Sequence, residues 1–170
     1  MSLIVLGVGA LVLAYCARYF REHEPRNAVF GGQLLAFAGA MFGLVTTDDL
    51  MVLYTFWEIT SVLSFLLIGY SGHRIFARRS AITALIVTTF GGLAMLAGLI
   101  MLAHFAGSWR ISGVLEAAPA LMADAGLRGL LEVAVALVLI GALTKSAQAP
   151  FHFWLPAAMA APTPVSAYLH

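Results

Sequence analysis

The sequence predicts an all-α, polytopic transmembrane helical bundle: about five full spans, the start of a sixth, and a broken helix near Lys145–Pro150. Three observations predict it. Of 170 residues, 62% are hydrophobic and 10% charged, against about 25% charged in an average soluble domain, too few to cover a water-facing surface. Apolar runs approaching the ~20 residues needed to cross hydrocarbon recur along the chain. The only lysine, Lys145, falls inside one of them, Leu130–Ala149, where a bare ammonium costs roughly 2.5–3.5 kcal/mol on insertion scales.

The first span runs from about Ser2 to Tyr19. No positive stretch precedes it, and Arg18 and Arg21 follow it, the order of a segment inserted with its N-terminus outside rather than of a signal peptide. Cys16, the single cysteine, excludes an internal disulfide or zinc cluster and reads as lipid-facing filler. The second span covers about Ala28–Thr46, the third Leu50–Tyr70 and the fourth Ser80–Phe105, and the fifth begins near Leu130. Thr47 or Asp48 is suited to cap the third span, and Ser71-Gly72 to close it. A short surface helix around Val114–Ala125 is expected before the fifth.

Loop charges set the orientation. Arg18, Arg21 and Arg26 lie in the first loop, and His73, Arg74, Arg78 and Arg79 in the third, while the intervening turn carries only Asp48 and Asp49. Positive loops therefore alternate, which puts the loops at 18–27 and 71–79 on the cytoplasmic side. His23 and His73 are expected in solvent. Gly39 and Gly43, the run Gly32, Ala36 and Ala40, and the pair Ala94 and Gly98 all have the spacing that lets helices approach closely in lipid. No linker separates soluble domains, so residues 1–170 read as a single transmembrane domain ending within a helix.

Two strongly ionic side chains lie well within spans: Glu58 in the third and Lys145 in the fifth. Glu132 and His104 fall near the outer interface. At 1.5 Å per residue, Glu58 lies about 12 Å below Leu50 and Lys145 about 18 Å below Val133. Parallel spans then bring the two to within roughly 6 Å in depth, which leaves a direct pair open. Tyr54, Thr55 and Ser61 form a polar stripe with Glu58. Gly141 and Ala142 leave space beside Lys145, and Gln148 follows it. Intramembrane ionisable residues mark ion or proton routes, and an opening and closing Lys/Glu pair can release and recapture a proton, because proximity and desolvation act oppositely on each group.

The fifth span should kink or stop at Ala149, because Pro150 has no amide hydrogen and disfavours helix before it. The chain stays apolar through Phe151–Pro156, and irregular backbone at membrane depth is tolerated where it is buried or lines a wet cavity. His152 follows there, and histidine is the side chain type whose unperturbed titration lies near neutral pH. Pro156, Pro162 and Pro164 punctuate the rest of the segment, and His170 continues the helix after Pro162-Thr163-Pro164.

The segments FWEITSVLSFLLIGY (Phe56–Tyr70), TKSAQAPFHFWLP (Thr144–Pro156) and APTPVSAYLH (Ala161–His170) resemble the large subunit of Mrp-type multi-subunit cation/proton antiporters. That family is related to the antiporter-like subunits of respiratory complex I. The resemblance extends over nearly the whole chain and implies an N-terminal-side part of a longer protein, whose third, fifth and broken seventh helices correspond to the first, third and fifth spans here. It implies a proton relay of Glu58, Lys145, His152 and His170, a bacterial inner-membrane location, and other membrane subunits, the lipid bilayer, protons and monovalent cations (Na⁺) as partners. Ala157 and Ala160 stand where the family usually has acids.

The function expected is proton translocation within a monovalent cation/proton antiporter. Alternatives are a proton-pumping subunit of an NADH:quinone oxidoreductase or related membrane hydrogenase, and a non-transporting scaffold in which Glu58 and Lys145 only hold helices together. No nucleophile–base spacing, phosphate loop, metal cluster or basic aromatic patch appears. An enzyme, a cofactor, a metal and a nucleic-acid partner are therefore not expected.

Overall fold

A computed structural model describes residues 1–19, 27–71, 75–159 and 161–169. Among the described residues eight α-helices follow one another: α1 Ser2–Tyr19, α2 Asn27–Thr46, α3 Leu50–Ile68, α4 Ile75–Ala106, α5 Ile111–Ala123, α6 Arg128–Lys145, α7 Trp154–Ala158 and α8 Thr163–Leu169. Short 3-10 turns occupy Gly69–Ser71 and Phe151–Phe153. Loops 20–26 and 72–74, with Arg21, Arg26, His73 and Arg74, lie outside the described residues, as do Ala160 and His170.

The chain is an all-α membrane bundle, as its composition requires. Among the described residues three helices are long and apolar enough to cross a membrane: Ala28–Thr46, Leu50–Ile68 and Ile75–Ala106. Ser2–Arg18 is a shorter apolar helix. The fifth span is shifted from expectation: α6 starts at Arg128 and ends at Lys145, and carries Arg128, Glu132 and Lys145 within its 18 residues. The fourth span is longer than expected: α4 has 32 residues, about 48 Å of helix, so Arg78 and Arg79 belong to its first turns rather than to the loop.

Helix ends depart from expectation at the turn between α2 and α3. Asp49, not Thr47 or Asp48, caps α3, its Oδ1 accepting from the amides of Met51 and Val52 at 2.9 Å each. Asp48 instead caps α5, sixty-four residues away in the chain. Its Oδ1 accepts from the Ser112 amide at 2.9 Å and its Oδ2 from the Ser112 hydroxyl at 2.7 Å, with Arg110 at 3.2 Å. The Ser112 hydroxyl and amide, helped by Arg110, hold the Asp48 carboxyl below its ordinary range. The α2–α3 turn and the start of α5 are thereby stitched together.

Two apolar clusters form at opposite ends of the bundle. At one end Cys16, Phe30, Leu34, Leu67, Ile68, Ala81, Trp154 and Val165 pack together. Cys16 is thus buried in a core rather than lipid-facing. At the other end Leu50, Met95, Leu99 and Ala103 pack with Ile111, Val114 and Val138. The turns of α3, α4 and α6 that hold Glu58 and Lys145 lie between these two apolar layers.

α4 and α6 pack most extensively, and glycines explain why. A Cβ on Gly98 would stand 2.6 Å from the Ala134 carbonyl oxygen, and one on Gly141 would stand 2.5 Å from the Met95 Cβ. The spacing expected to matter in α2 does not generally do so: Gly32 and Gly39 face open space, whereas Gly43 receives a neighbour, the Phe56 ring.

Candidate functional site

The site begins with the end of α6. The helix stops at Lys145, five residues before Pro150. Its ending is a Schellman turn: Ala147 takes the left-handed conformation (φ 52°), the Gln148 amide donates to the Leu143 carbonyl at 3.0 Å, and the Ala147 amide to the Thr144 carbonyl at 3.4 Å. This position is ordinarily glycine. An alanine there carries no sequence signal, so Pro150 alone marks the break and places it later, at Ala149. The Trp154 indole N–H also donates to the Thr144 carbonyl, at 2.9 Å and buried, supplying one partner that a helix terminus lacks. Lys145, as the last helical residue, sits where the helix dipole favours a cation.

Lys145 reaches across to α3. Its Nζ donates to the Trp57 carbonyl at 2.8 Å, to Thr60 Oγ1 at 2.5 Å and to Ser61 Oγ at 2.9 Å. An ammonium has three donors, and neutral oxygens of one helical turn take all three. The Trp57 ring centroid lies 4.6 Å from Nζ, within cation–π range. Thr60 and Ser61 also donate to the Trp57 carbonyl, at 2.7 and 3.2 Å. Lys145 and Glu58 form no direct ion pair among the described residues. The charge is solvated by the α3 backbone and hydroxyls instead.

Glu58 points from the same turn of α3 toward α4. Among the described residues its Oε1 is buried without a hydrogen-bond partner, as is the Trp57 indole nitrogen. Trp57 thus borders both the base and the acid. Its carbonyl and ring face Lys145, and its N–H lies on the side of Glu58. Trp57 and Thr60 carry no signal in the sequence; Ser61 does, through the helical stripe around Glu58. Thr55, from that same stripe, is exposed and bonded to the Met51 carbonyl at 2.8 Å.

A cavity of about 170 Å³ adjoins Lys145, lined also by Ser61, Ser64, Thr88, Trp154 and Tyr168. A water needs roughly 10–15 Å³ of such space and two to four polar partners, so several waters fit. His152 lies in the 3-10 turn after the break and is exposed; it does not line this cavity. His170 lies outside the described residues. Pro150 precedes that 3-10 turn, Pro156 lies in α7, Pro162 immediately precedes α8, and Pro164 is buried in the first turn of α8. Glu132 is exposed and pairs with Arg128 at 3.4 Å, and His104 is exposed in the last turn of α4.

A family model described as NADH:quinone oxidoreductase/Mrp antiporter, TM, matches residues 47–170. The chain belongs to that family. It is 50% identical over 169 residues to a probable K(+)/H(+) antiporter A/B subunit of Rhizobium meliloti (strain 1021), covering 99% of this chain and 16% of that protein. It is 46% identical over 169 residues to the A-type subunit of the Na(+)/H(+) antiporter of Alkalihalophilus pseudofirmus, covering 99% and 20%. A chain in the structure of the Mrp complex from Dietzia sp. DQ12-45-1b superposes with a TM-score of 0.89 at 40% identity, covering 99% of this chain and 18% of that one. The chain thus spans a fifth or less of the length of these relatives.

Proposed function

We propose that this chain carries a proton-transfer step of a monovalent cation/proton antiporter, working with other membrane subunits in a bacterial inner membrane. The observation that carries the reading is the Lys145 cradle. Two of its three oxygens are hydroxyls, which can donate as well as accept. The cradle can therefore bind an ammonium through its oxygens and, after a hydroxyl rotates, donate to the lone pair of a neutral amine. A purely structural lysine needs only the first arrangement. Glu58 supplies the acid, one residue on from Trp57 in α3, and the cavity beside Lys145 supplies room for the water that passes the proton on.

His152 and His170 extend the relay in this reading, leading from Lys145 past the break in α6. The relatives' names include both K(+)/H(+) and Na(+)/H(+) antiporters, which supports monovalent-cation exchange and leaves the cation to be assigned by transport. The same names favour an antiporter over a redox-driven pump. Glu58→Gln in the full-length protein, assembled in its complex and assayed for cation/proton exchange in vesicles, tests the proposal. Exchange is expected to fall by about 100-fold or more, the range for removing a proton-transfer group. Undiminished exchange would overturn it.

A further inference from the structure

Two adjacent glycines on α4 meet the two halves of the site. A Cβ on Gly92 would collide with Glu58 Oε1, with the Glu58 Cδ at 3.3 Å and the Trp57 Nε1 at 3.7 Å. A Cβ on Gly91 would collide with Thr144, whose Cβ stands at 2.6 Å and Cγ2 at 2.8 Å. Thr144 immediately precedes Lys145. Both glycines are buried, and neither takes a conformation that requires glycine. What each supplies is the missing side chain.

We propose that Gly92 is a positioning residue for the Glu58 carboxylate, and that the Gly91–Gly92 step sets the spacing between Glu58 and Lys145. Gly92 receives Glu58 from α3, with the Trp57 indole nitrogen farther off, and Gly91 receives Thr144 from α6. The carboxylate end and the residue before the lysine are thus registered on consecutive residues of one rigid helix. This inference rests on the relay reading of Glu58 and Lys145.

The two glycines are not equivalent. At Gly91 the obstructing atoms include a Cβ held by its backbone, so an alanine there must push α6 off α4. At Gly92 the obstructing atom is the far end of a flexible side chain, so an alanine there moves the carboxylate and leaves the helices seated. The titratable group acting on Glu58 is Lys145 from α6, and Glu58 in turn acts on Tyr54, one turn earlier on α3. α4 faces it with Gly92, and α2 carries no ionisable side chain between Ala28 and Thr46.

The experiment compares Gly92→Ala, Glu58→Asp and their combination in the full-length protein within its complex. Two readouts are taken: the pH profile of exchange, and the infrared band of the protonated Glu58 carboxyl, assigned by its loss in Glu58→Gln. Gly92→Ala is expected to assemble normally, to lower exchange severalfold, and to move the midpoint of both titrations by about half a pH unit or more. In the Glu58→Asp background, where the shorter acid clears the new methyl, adding Gly92→Ala is expected to change the rate less than about twofold. An unchanged band and midpoint would overturn the proposal, and so would an equal loss in both backgrounds. If Glu58→Gln leaves exchange intact, the relay reading fails. The infrared comparison still tests positioning, because it does not depend on transport.

Discussion

Replacing Lys145 with methionine separates a relay from a scaffold, because the terms in stability nearly cancel while the terms in function do not. The substitution removes three interhelical hydrogen bonds. Such bonds are worth about 0.6 kcal/mol each on average within membranes and up to about 1.7, a loss of roughly 2–5 kcal/mol. It also removes a charge whose insertion costs roughly 2.5–3.5 kcal/mol. The groups left behind are not stranded: Thr60 and Ser61 keep their bonds to the Trp57 carbonyl at 2.7 and 3.2 Å. Methionine has a similar length and is apolar, so it fills the same channel between α3 and α6. The net change expected is within about 3 kcal/mol of zero, with exchange lowered about 100-fold or more. Thermal unfolding of the purified complex measures the first and vesicle exchange the second. Loss of assembly, or exchange at the native rate in a stable complex, would refute the reasoning.

Three further outcomes are expected. Gly98→Ala, whose Cβ would meet the Ala134 carbonyl at 2.6 Å, should destabilise by about 1–3 kcal/mol, whereas Gly39→Ala, in open space, should be neutral or gain up to about 1 kcal/mol; thermal unfolding of the two variants side by side decides. Ala147→Gly should stabilise the turn after Lys145 by about 1 kcal/mol, since φ 52° disfavours any residue with a Cβ, and slower amide exchange at Gln148 would report it. The Asp48 clamp on α5 should weaken in acid. Its carboxyl is held below the ordinary value of 3.8, so its contribution is fully present above that value and is lost as pH falls through the lower, folded value. Faster exchange of the Ser112 amide below that pH, absent in Asp48→Asn, checks the sign.

Much of the architecture was legible because it depends on local chemistry. Apolar run length located α2 and α3 to within a residue or two. The charges flanking α5 and the turn at residues 47–49 separated the elements around them. The helix ends were less legible where a residue without a signature sets them. Ala147 ends α6 in a conformation that glycine would have advertised, and Asp48 and Asp49, indistinguishable as neighbours in the sequence, cap two different helices. Gly91 and Gly92, which touch the site, lack the four-residue spacing that marks Gly32 and Gly39, where a side chain would meet nothing among the described residues. Spacing describes one helix face, whereas contact depends on what faces it.

The sequence by itself determined that the chain is a helical membrane bundle, that Glu58 and Lys145 lie within it, and that the helix holding Lys145 breaks close by. Desolvation of charge and backbone is severe enough in hydrocarbon to make these readable from residue type and order alone. Only the tertiary structure decided what the ammonium touches. The packing of α3 and α6 against α4 places Lys145 on the Trp57 carbonyl, Thr60 and Ser61 and places Glu58 against Gly92. A rotation of α3 by one residue, about 100°, would break those contacts without changing a single hydrophobic run.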